Sequence, residues 1–281
     1  MGTQKKTWIR KSLIVGITMC LCLALAVSLA PLLSRERKAA KKELYPAIRN
    51  EDIQTVSEIL DRYPALANEP YYTHIFYFLW EGNQTNPLDE AIWVGNLDMV
   101  KLLMEKGAKG SRDSLIDALN YREFEIAWLL IGKGADLGVR SGRCEETVPF
   151  SILGSKIDSP EEEQAEFELV KYVIEQGTSL KPPDCSRDGI KTLLGLAAYY
   201  NNSLVVKYLL DEQIYDIDEI ANPKTDQRTA LMIAVTQRSY DACQVLLDHG
   251  ADKTITDIDG KTAIDYALEL KDERLIAMLS E

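Results

Sequence analysis

The sequence predicts an all-α solenoid of stacked helix-turn-helix units, preceded by one N-terminal transmembrane helix. Three observations predict it. Residues 12–33 carry no charge, an alanine returns at one offset in five segments of similar length, and a glycine closes three of those segments at a second fixed offset.

The uncharged run is "SLIVGITMCLCLALAVSLAPLL", 22 residues at 12–33. A helix of about 20 residues rises far enough to cross the ~30 Å hydrocarbon core, so the run is expected to be a signal anchor between a basic tail at 1–11 and a basic juxtamembrane linker at 34–44. Trp8 stands where interfacial aromatics anchor such helices. A cleavable signal peptide fits the same basic start, apolar core and Ala24-Leu25-Ala26. The apolar residues, however, continue to Leu33, and Pro31 would follow a scissile bond at Ala30. Flanking Lys and Arg number four before and five after, which leaves orientation open. The short N-terminus resembles a signal start and favours an N-terminus inside with the repeat domain extracytoplasmic, in a single-pass membrane protein. The basic segment "SRERKAAKKE" suits either anionic headgroups or a solvated linker.

Sliding "TALMIAVTQRSYDACQVLLDHGAD" from Thr229 along the chain finds matching segments from Asn86, Asp113, Thr192 and Thr262. Counting the first residue as zero, alanine falls at offset five in every copy: Ala91, Ala118, Ala197, Ala234 and Ala267. Offset 21 holds Gly107, Gly134 and Gly250, with Gln213 in one copy. Two weaker copies fill the gaps, one from Ala47 and one from Val148 that carries about eight extra residues around "DSPEEEQ". About seven units are expected, near 45–68, 86–109, 113–136, 148–178, 192–215, 229–252 and 262–281.

Within each copy the apolar residues recur at three- and four-residue spacing, which predicts two short amphipathic helices. Thr229 and Thr262 stand where a hydroxyl caps the first helix. The offset-21 glycine ends the second helix in the left-handed conformation that a Cβ disfavours, and the offset-five alanine allows two helices to approach. No unit of this size buries its apolar face alone, so units stack.

This pattern resembles the ankyrin repeat, with its ~33-residue period and T-P-L-H-x-A signature. "LLDHGAD" followed by "DIDGKTAIDYA" is the best match. The resemblance covers about 235 residues, and it implies units joined by β-hairpin-like fingers and a binding module whose partners use the finger tips and the concave surface. No copy keeps histidine at offset three, where Asp89, Ile116, Ser151, Gly195, Met232 and Asp265 stand, so the usual helix-start hydrogen-bond network is not expected and the outer repeats are expected to be looser.

Residues 1–44 hold nine Lys/Arg and two Asp/Glu, and the remainder holds 23 basic and 42 acidic residues, a net charge of −19. Such a body repels phosphate backbones and points to a basic protein partner rather than nucleic acid. Five cysteines are too few for a disulfide framework, and no Cys or His pair has zinc-site spacing. Cys144 and Cys185 are the pair that an oxidising compartment would join.

Chemistry-like motifs read as structure. With Gly260 at position six of an EF-hand loop, Ile255 and Tyr266 fall at positions one and twelve, where side-chain ligands are needed. "DIDG" therefore reads as a finger turn, and no metal or cofactor is expected. His74 and His249 are the only histidines, and no nucleophile elbow, zinc-protease or phosphate-loop sequence occurs. Glu161, Glu162, Glu163, Glu166 and Glu168 read as a solvated insertion or, in the rival reading, as a docking patch for a basic partner. "YYTHIFYFLW" places six of the chain's 22 aromatics in ten residues; these cover the array's exposed N-terminal end or, alternatively, Tyr71, Tyr72, Phe76, Tyr77 and Trp80 form a partner-binding patch. The expected function is non-enzymatic protein-protein interaction at a membrane. Rival readings are an inhibitor or immunity-type protein that occludes a toxin or hydrolase, and more remotely a hydrolase using Asp257 and Asp259. No small-molecule substrate is expected.

Overall fold

The computed structural model describes residues 34–72, 84–142, 145–154, 156–157, 159–183 and 189–280, which fall in two units, 1–109 and 110–281. The expected anchor at 12–33 lies outside the described residues. Among the described residues, no helix is long and apolar enough to cross a membrane.

In the first unit, helix α1 spans 34–49. It is followed by α2 (Ile53–Arg62), a 3-10 turn (Pro64–Asn68), β1 (Tyr71–Tyr72) antiparallel to β2 (Gln84–Thr85), α3 (Pro87–Val94) and α4 (Leu97–Glu105). The segment expected as a linker at 34–44 is thus helical and runs straight into the first repeat. Leu44, Tyr45 and Ile48 bury one side completely. Arg37 and Lys41, one turn apart on that side, both pair with Glu69. The Tyr45 hydroxyl donates to the carbonyls of Glu69 (2.8 Å) and Thr85 (3.1 Å), and burial raises its pKa far above the ordinary phenol value. Asp52 caps α2, Asn86 caps α3 and Asn96 caps α4, each accepting an otherwise orphan N–H.

The second unit holds five helix pairs among its described residues: α5 (Ser114–Asn120) with α6 (Phe124–Gly132), α7 (Val148–Ile152) with α8 (Pro160–Glu175), α9 (Leu193–Tyr200) with α10 (Ser203–Asp211), α11 (Ala230–Gln237) with α12 (Tyr240–Asp248), and α13 (Ala263–Glu269) with α14 (Glu273–Ser280). First helices pack on first helices, from α5 through α7, α9 and α11 to α13, and α8, α10 and α12 form a second layer. Ala118, Ala197, Ala234 and Ala267 are completely buried between them. Edge-to-face pairs such as Trp128 on Tyr172, at 5.1 Å between centroids, join neighbouring second helices.

The helix-start network that a histidine would serve is built from other groups. Thr262 and Asp265 form a reciprocal capping box at α13, and in the first unit the Asn86 amide donates to Asp89 (2.5 Å). Thr192 and Thr229 cap α9 and α11 through their hydroxyls. Before α7 the corresponding place is taken by Thr147, one residue ahead of Val148, so that Ile152 stands where other copies have alanine.

The acidic run is solvated only in part. It lies along α8, with Glu161 and Glu168 exposed, but Glu166 is completely buried, Arg122 pairs with both Glu162 and Glu166, and Glu163 accepts from the Ser203 hydroxyl and the Leu204 N–H.

Helix-to-helix turns place Glu51, Arg122, Asn201 and Arg238 at positive φ (59°, 67°, 63° and 54°), although none is glycine. Each of these side chains bonds the next helix pair, to Asn96, Glu162 with Glu166, Asp241 and Asp272 respectively.

Fingers connect the pairs. β3 (Arg140–Ser141) and β4 (Glu146–Thr147) form one, antiparallel. In another, Gly260 at φ 77° closes a turn on the Asp257 carbonyl. Asp257 accepts the N–H groups of Asp259 (3.0 Å) and Lys261 (2.9 Å) at Oδ1 and the Tyr266 hydroxyl at Oδ2. Burial opposes its ionisation, but these donors outweigh burial and hold the carboxyl below the ordinary range. Gly260→Val is therefore expected to lower stability by about 1–2 kcal/mol, the cost of a Cβ in the left-handed region. Thermal melts should show the loss with no calcium-dependent shift in either protein; a shift that the variant loses would restore an ion-binding loop.

Candidate protein-binding surface

The angle between the fingers and the first helices of the second unit holds a cavity of about 390 Å³. Its floor is Ile190 and Ile233, each almost fully buried. Tyr199, Thr236 and Gln237 rise from the ends of α9 and α11, and Asn222, Thr225, Asp226 and Arg228 line the finger side. The volume lies near the lower end of the ligand-pocket range, enough to receive side chains from one segment of a partner.

Local hydrogen bonding makes the finger wall rigid. Ala221 donates to the Arg228 carbonyl (2.8 Å) and accepts from the Lys191 N–H (2.6 Å). The buried Asn222 accepts the Arg228 N–H (2.5 Å). Arg228 is aimed by two neighbours: it donates to the Tyr266 hydroxyl (3.0 Å), lies over that ring (4.6 Å to the centroid) and pairs with Asp226 at 3.3 Å. Adjacent fingers are tied where the Ile258 N–H donates to the Asp226 carbonyl (3.1 Å) and the Asp252 N–H to the Asp218 carboxylate (3.0 Å). Ile258, at that tip, is 61% exposed. The result is an apolar floor with a fixed polar rim, the composition of a recognition pocket.

The aromatic residues singled out in the sequence divide between described and undescribed segments. Tyr71 and Tyr72 form β1, and Tyr71 stacks on Tyr45 with centroids 4.7 Å apart. Phe76, Tyr77 and Trp80 lie outside the described residues, as do Cys144, Cys185 and His74. His249 sits at the exposed end of α12 between the Val245 carbonyl (2.7 Å) and Asp211 (3.1 Å), and the Asp211 bond raises its pKa. Asp257, which with Asp259 forms the acidic pair of the remote hydrolase reading, has both oxygens committed to holding the turn.

Two exposed aromatics escaped the sequence reading. Trp93 in the first unit is 54% exposed and Tyr121 in the second is 46% exposed. Both follow the buried part of a first helix, at offsets seven and eight of their copies, but that place alone would not have found them, because Tyr200 at offset eight of its copy is buried.

Residues 162–257 match the family model for ankyrin repeats in three copies. Diacylglycerol kinase iota from Rattus norvegicus is 39% identical over 88 residues, 31% of this chain and 8% of that protein. The Homo sapiens form is 38% identical over 98 residues, 35% of this chain and 9% of that protein. Alpha-latrotoxin-Lh1a from Latrodectus hasselti is 36% identical over 72 residues, 26% of this chain and 5% of that protein. The chain thus spans less than a tenth of the length of these curated relatives. Taken with the layered helix pairs and their fingers, these matches lead to one conclusion: the chain resembles ankyrin-repeat proteins, and three copies of that repeat stand at 162–257.

Proposed function

We propose that the chain is a non-enzymatic protein-binding array tethered to a membrane through residues 12–33, and that its partner inserts a segment into the cavity beside Tyr199, Ile233 and Arg228. The cavity is the observation that carries this reading, because it joins an apolar floor to a rim whose polar groups are already fixed. Preorganisation of that kind lowers the entropy cost of association. An excess of acidic residues over the body favours a basic partner drawn in by long-range attraction. On the first unit, Trp93 and the aromatic segment at 71–80 offer further anchors, with Tyr71 serving mainly to cover Tyr45. The N-terminus inside and the repeats extracytoplasmic remain the favoured orientation.

A photo-crosslinking residue at Gln237 tests the site in the full-length chain, with Gln244 on the exposed face of α12 as the control. The expected result is one adduct of defined mass from position 237 and none from 244. Filling the cavity by Thr236→Trp should abolish the adduct while leaving the melting temperature unchanged within about 2 °C. Equal crosslinking at both positions, or an adduct that survives the filled cavity, would place the partner elsewhere. Association measured with the captured partner should also slow as salt rises.

A further inference from the structure

Helix α1 carries five basic residues in its first nine positions, and they do two different things. At 100° per residue, Arg37 and Lys41 fall on the same side as the buried Ala40, Leu44 and Ile48. There they are held by Glu69. Arg35, Lys38 and Lys42, spaced i, i+3 and i+7, fall within a sector of about 60° on the opposite side. All three are exposed, and among the described residues none makes an ion pair or hydrogen bond. Their backbone is fixed, because the Glu69 clamp, the bond between Tyr63 and Glu36 and the burial of Leu44 and Tyr45 attach the helix to the first repeat.

We propose that this unpaired stripe of Arg35, Lys38 and Lys42 is a docking face for the anionic headgroups of a lipid bilayer. The inference rests on the tether through residues 12–33 proposed above and not on its orientation, and it adds to that tether the surface that lies against the membrane. Charge and place support it together. The stripe is an unneutralised basic face on a chain whose residues after 44 carry a net −19, and it begins two residues after the uncharged run at 12–33 ends. The three charges span about 10 Å along the helix, comparable to the Debye length at physiological salt, so they act on one patch of headgroups. Each basic residue near such a surface strengthens association about five-fold, and three give about 100-fold. Because α1 is welded to the first repeat, headgroup contact would also hold that repeat close to the bilayer and fix its orientation, which a flexible linker would not.

The test uses the full-length chain reconstituted into vesicles of phosphatidylcholine alone or with about one-third phosphatidylserine. Amines are labelled with a water-soluble reagent and read by mass spectrometry at Lys38 and Lys42, with the exposed Lys109 and Lys224 as internal controls. Labelling at Lys38 and Lys42 should be about five-fold slower on the anionic vesicles and unchanged at the controls. Salt at about 0.5 M should erase the difference, and Arg35→Gln, which leaves both lysines in place to report, should reduce it. Equal labelling on both vesicle types overturns the inference. Protection that is already present without vesicles overturns it as well, and indicates an acidic protein face instead. Alkaline extraction keeps the two readings apart. A chain released from neutral vesicles defeats the tether, whereas flotation with anionic vesicles alone, lost in R35Q/K38Q/K42Q, would preserve the stripe as a peripheral docking face.

Discussion

Arg122→Ala is expected to destabilise the 110–281 unit by about 3 kcal/mol at pH 7.5, the scale of a buried pair that loses one partner. Arg122 stands at the turn between α5 and α6 and reaches two carboxylates on α8, Glu162 and the fully buried Glu166. Glu166 in turn accepts from the Asn202 amide (2.6 Å), and Asn202 caps α10. One guanidinium therefore connects three successive helix pairs. Without it, Glu166 would remain buried beside Glu162 and lose the guanidinium that offsets its charge.

The same site gives the prediction a pH signature. Burial raises the Glu166 pKa from 4.5 to about 7, against the opposing charge and hydrogen bond of Arg122 and the bond from Asn202. A group whose pKa rises on folding stabilises the native state below its unfolded value and loses that contribution as pH climbs through the folded one. Stability should therefore fall between about pH 4.5 and 7, by an amount on the order of 3 kcal/mol. Glu166→Gln should flatten that part of the profile, because glutamine keeps a neutral group in place at every pH. Arg122→Ala should cost less at pH 5, where Glu166 is already protonated, than at pH 7.5. Urea unfolding of the three proteins at both pH values measures all of this. An equal loss at the two pH values would mean that Arg122 acts through packing alone.

Gly195→Ala should lower stability by about 2 kcal/mol, although alanine is the better helix former by about 1 kcal/mol. The reason lies in the finger. A Cβ at Gly195 would stand 2.5 Å from the Ala221 Cβ and 3.0 Å from the Thr192 hydroxyl. Neither neighbour can yield: Thr192 caps α9 by accepting the Gly195 N–H (3.0 Å), and Ala221 is hydrogen-bonded through both its N–H and its carbonyl. The melting temperature should drop by several degrees. Ala221→Gly in the same chain should recover most of the drop, which a simple propensity effect would not. Because Ala221 precedes the Asn222 wall of the cavity, the single variant should also weaken partner capture while the double variant restores it.

Helix pairs were legible because their signals are local. The alanine at offset five, the threonine before a first helix and three- and four-residue apolar spacing each follow from contacts within or just beyond one unit. What escaped the sequence depends on partners far along the chain. Residues 34–44 put only Ala40 and Leu44 on the buried side, too few to announce a repeat helix, and their docking depends on Glu69, about thirty residues later, which holds Arg37 and Lys41. Among the glutamates at 161–168, Glu162 and Glu166 look like members of a solvated charge run until Arg122, about forty residues earlier, is placed beside them. Gly195 read as a departure from the pattern, and only the finger at Ala221 gives it a reason. At the cavity, the first-helix residues could be placed by offset, but the finger wall could not, since the connecting segments share no common length.

The residues at positive φ between paired helices carry a further meaning. Glu51, Arg122, Asn201 and Arg238 each accept the cost of a left-handed backbone, about 1–2 kcal/mol, where glycine would sit without strain. In exchange, each side chain bonds the following pair. In an array whose stability is a sum of repeat and interface contributions, this exchange weakens the individual repeat and strengthens its cohesion with the next. Glycine at these turns would give sturdier links in a looser chain, one that frays from its ends. The residues present instead favour unfolding as a block, so a partner pulling on one finger would feel the resistance of its neighbours.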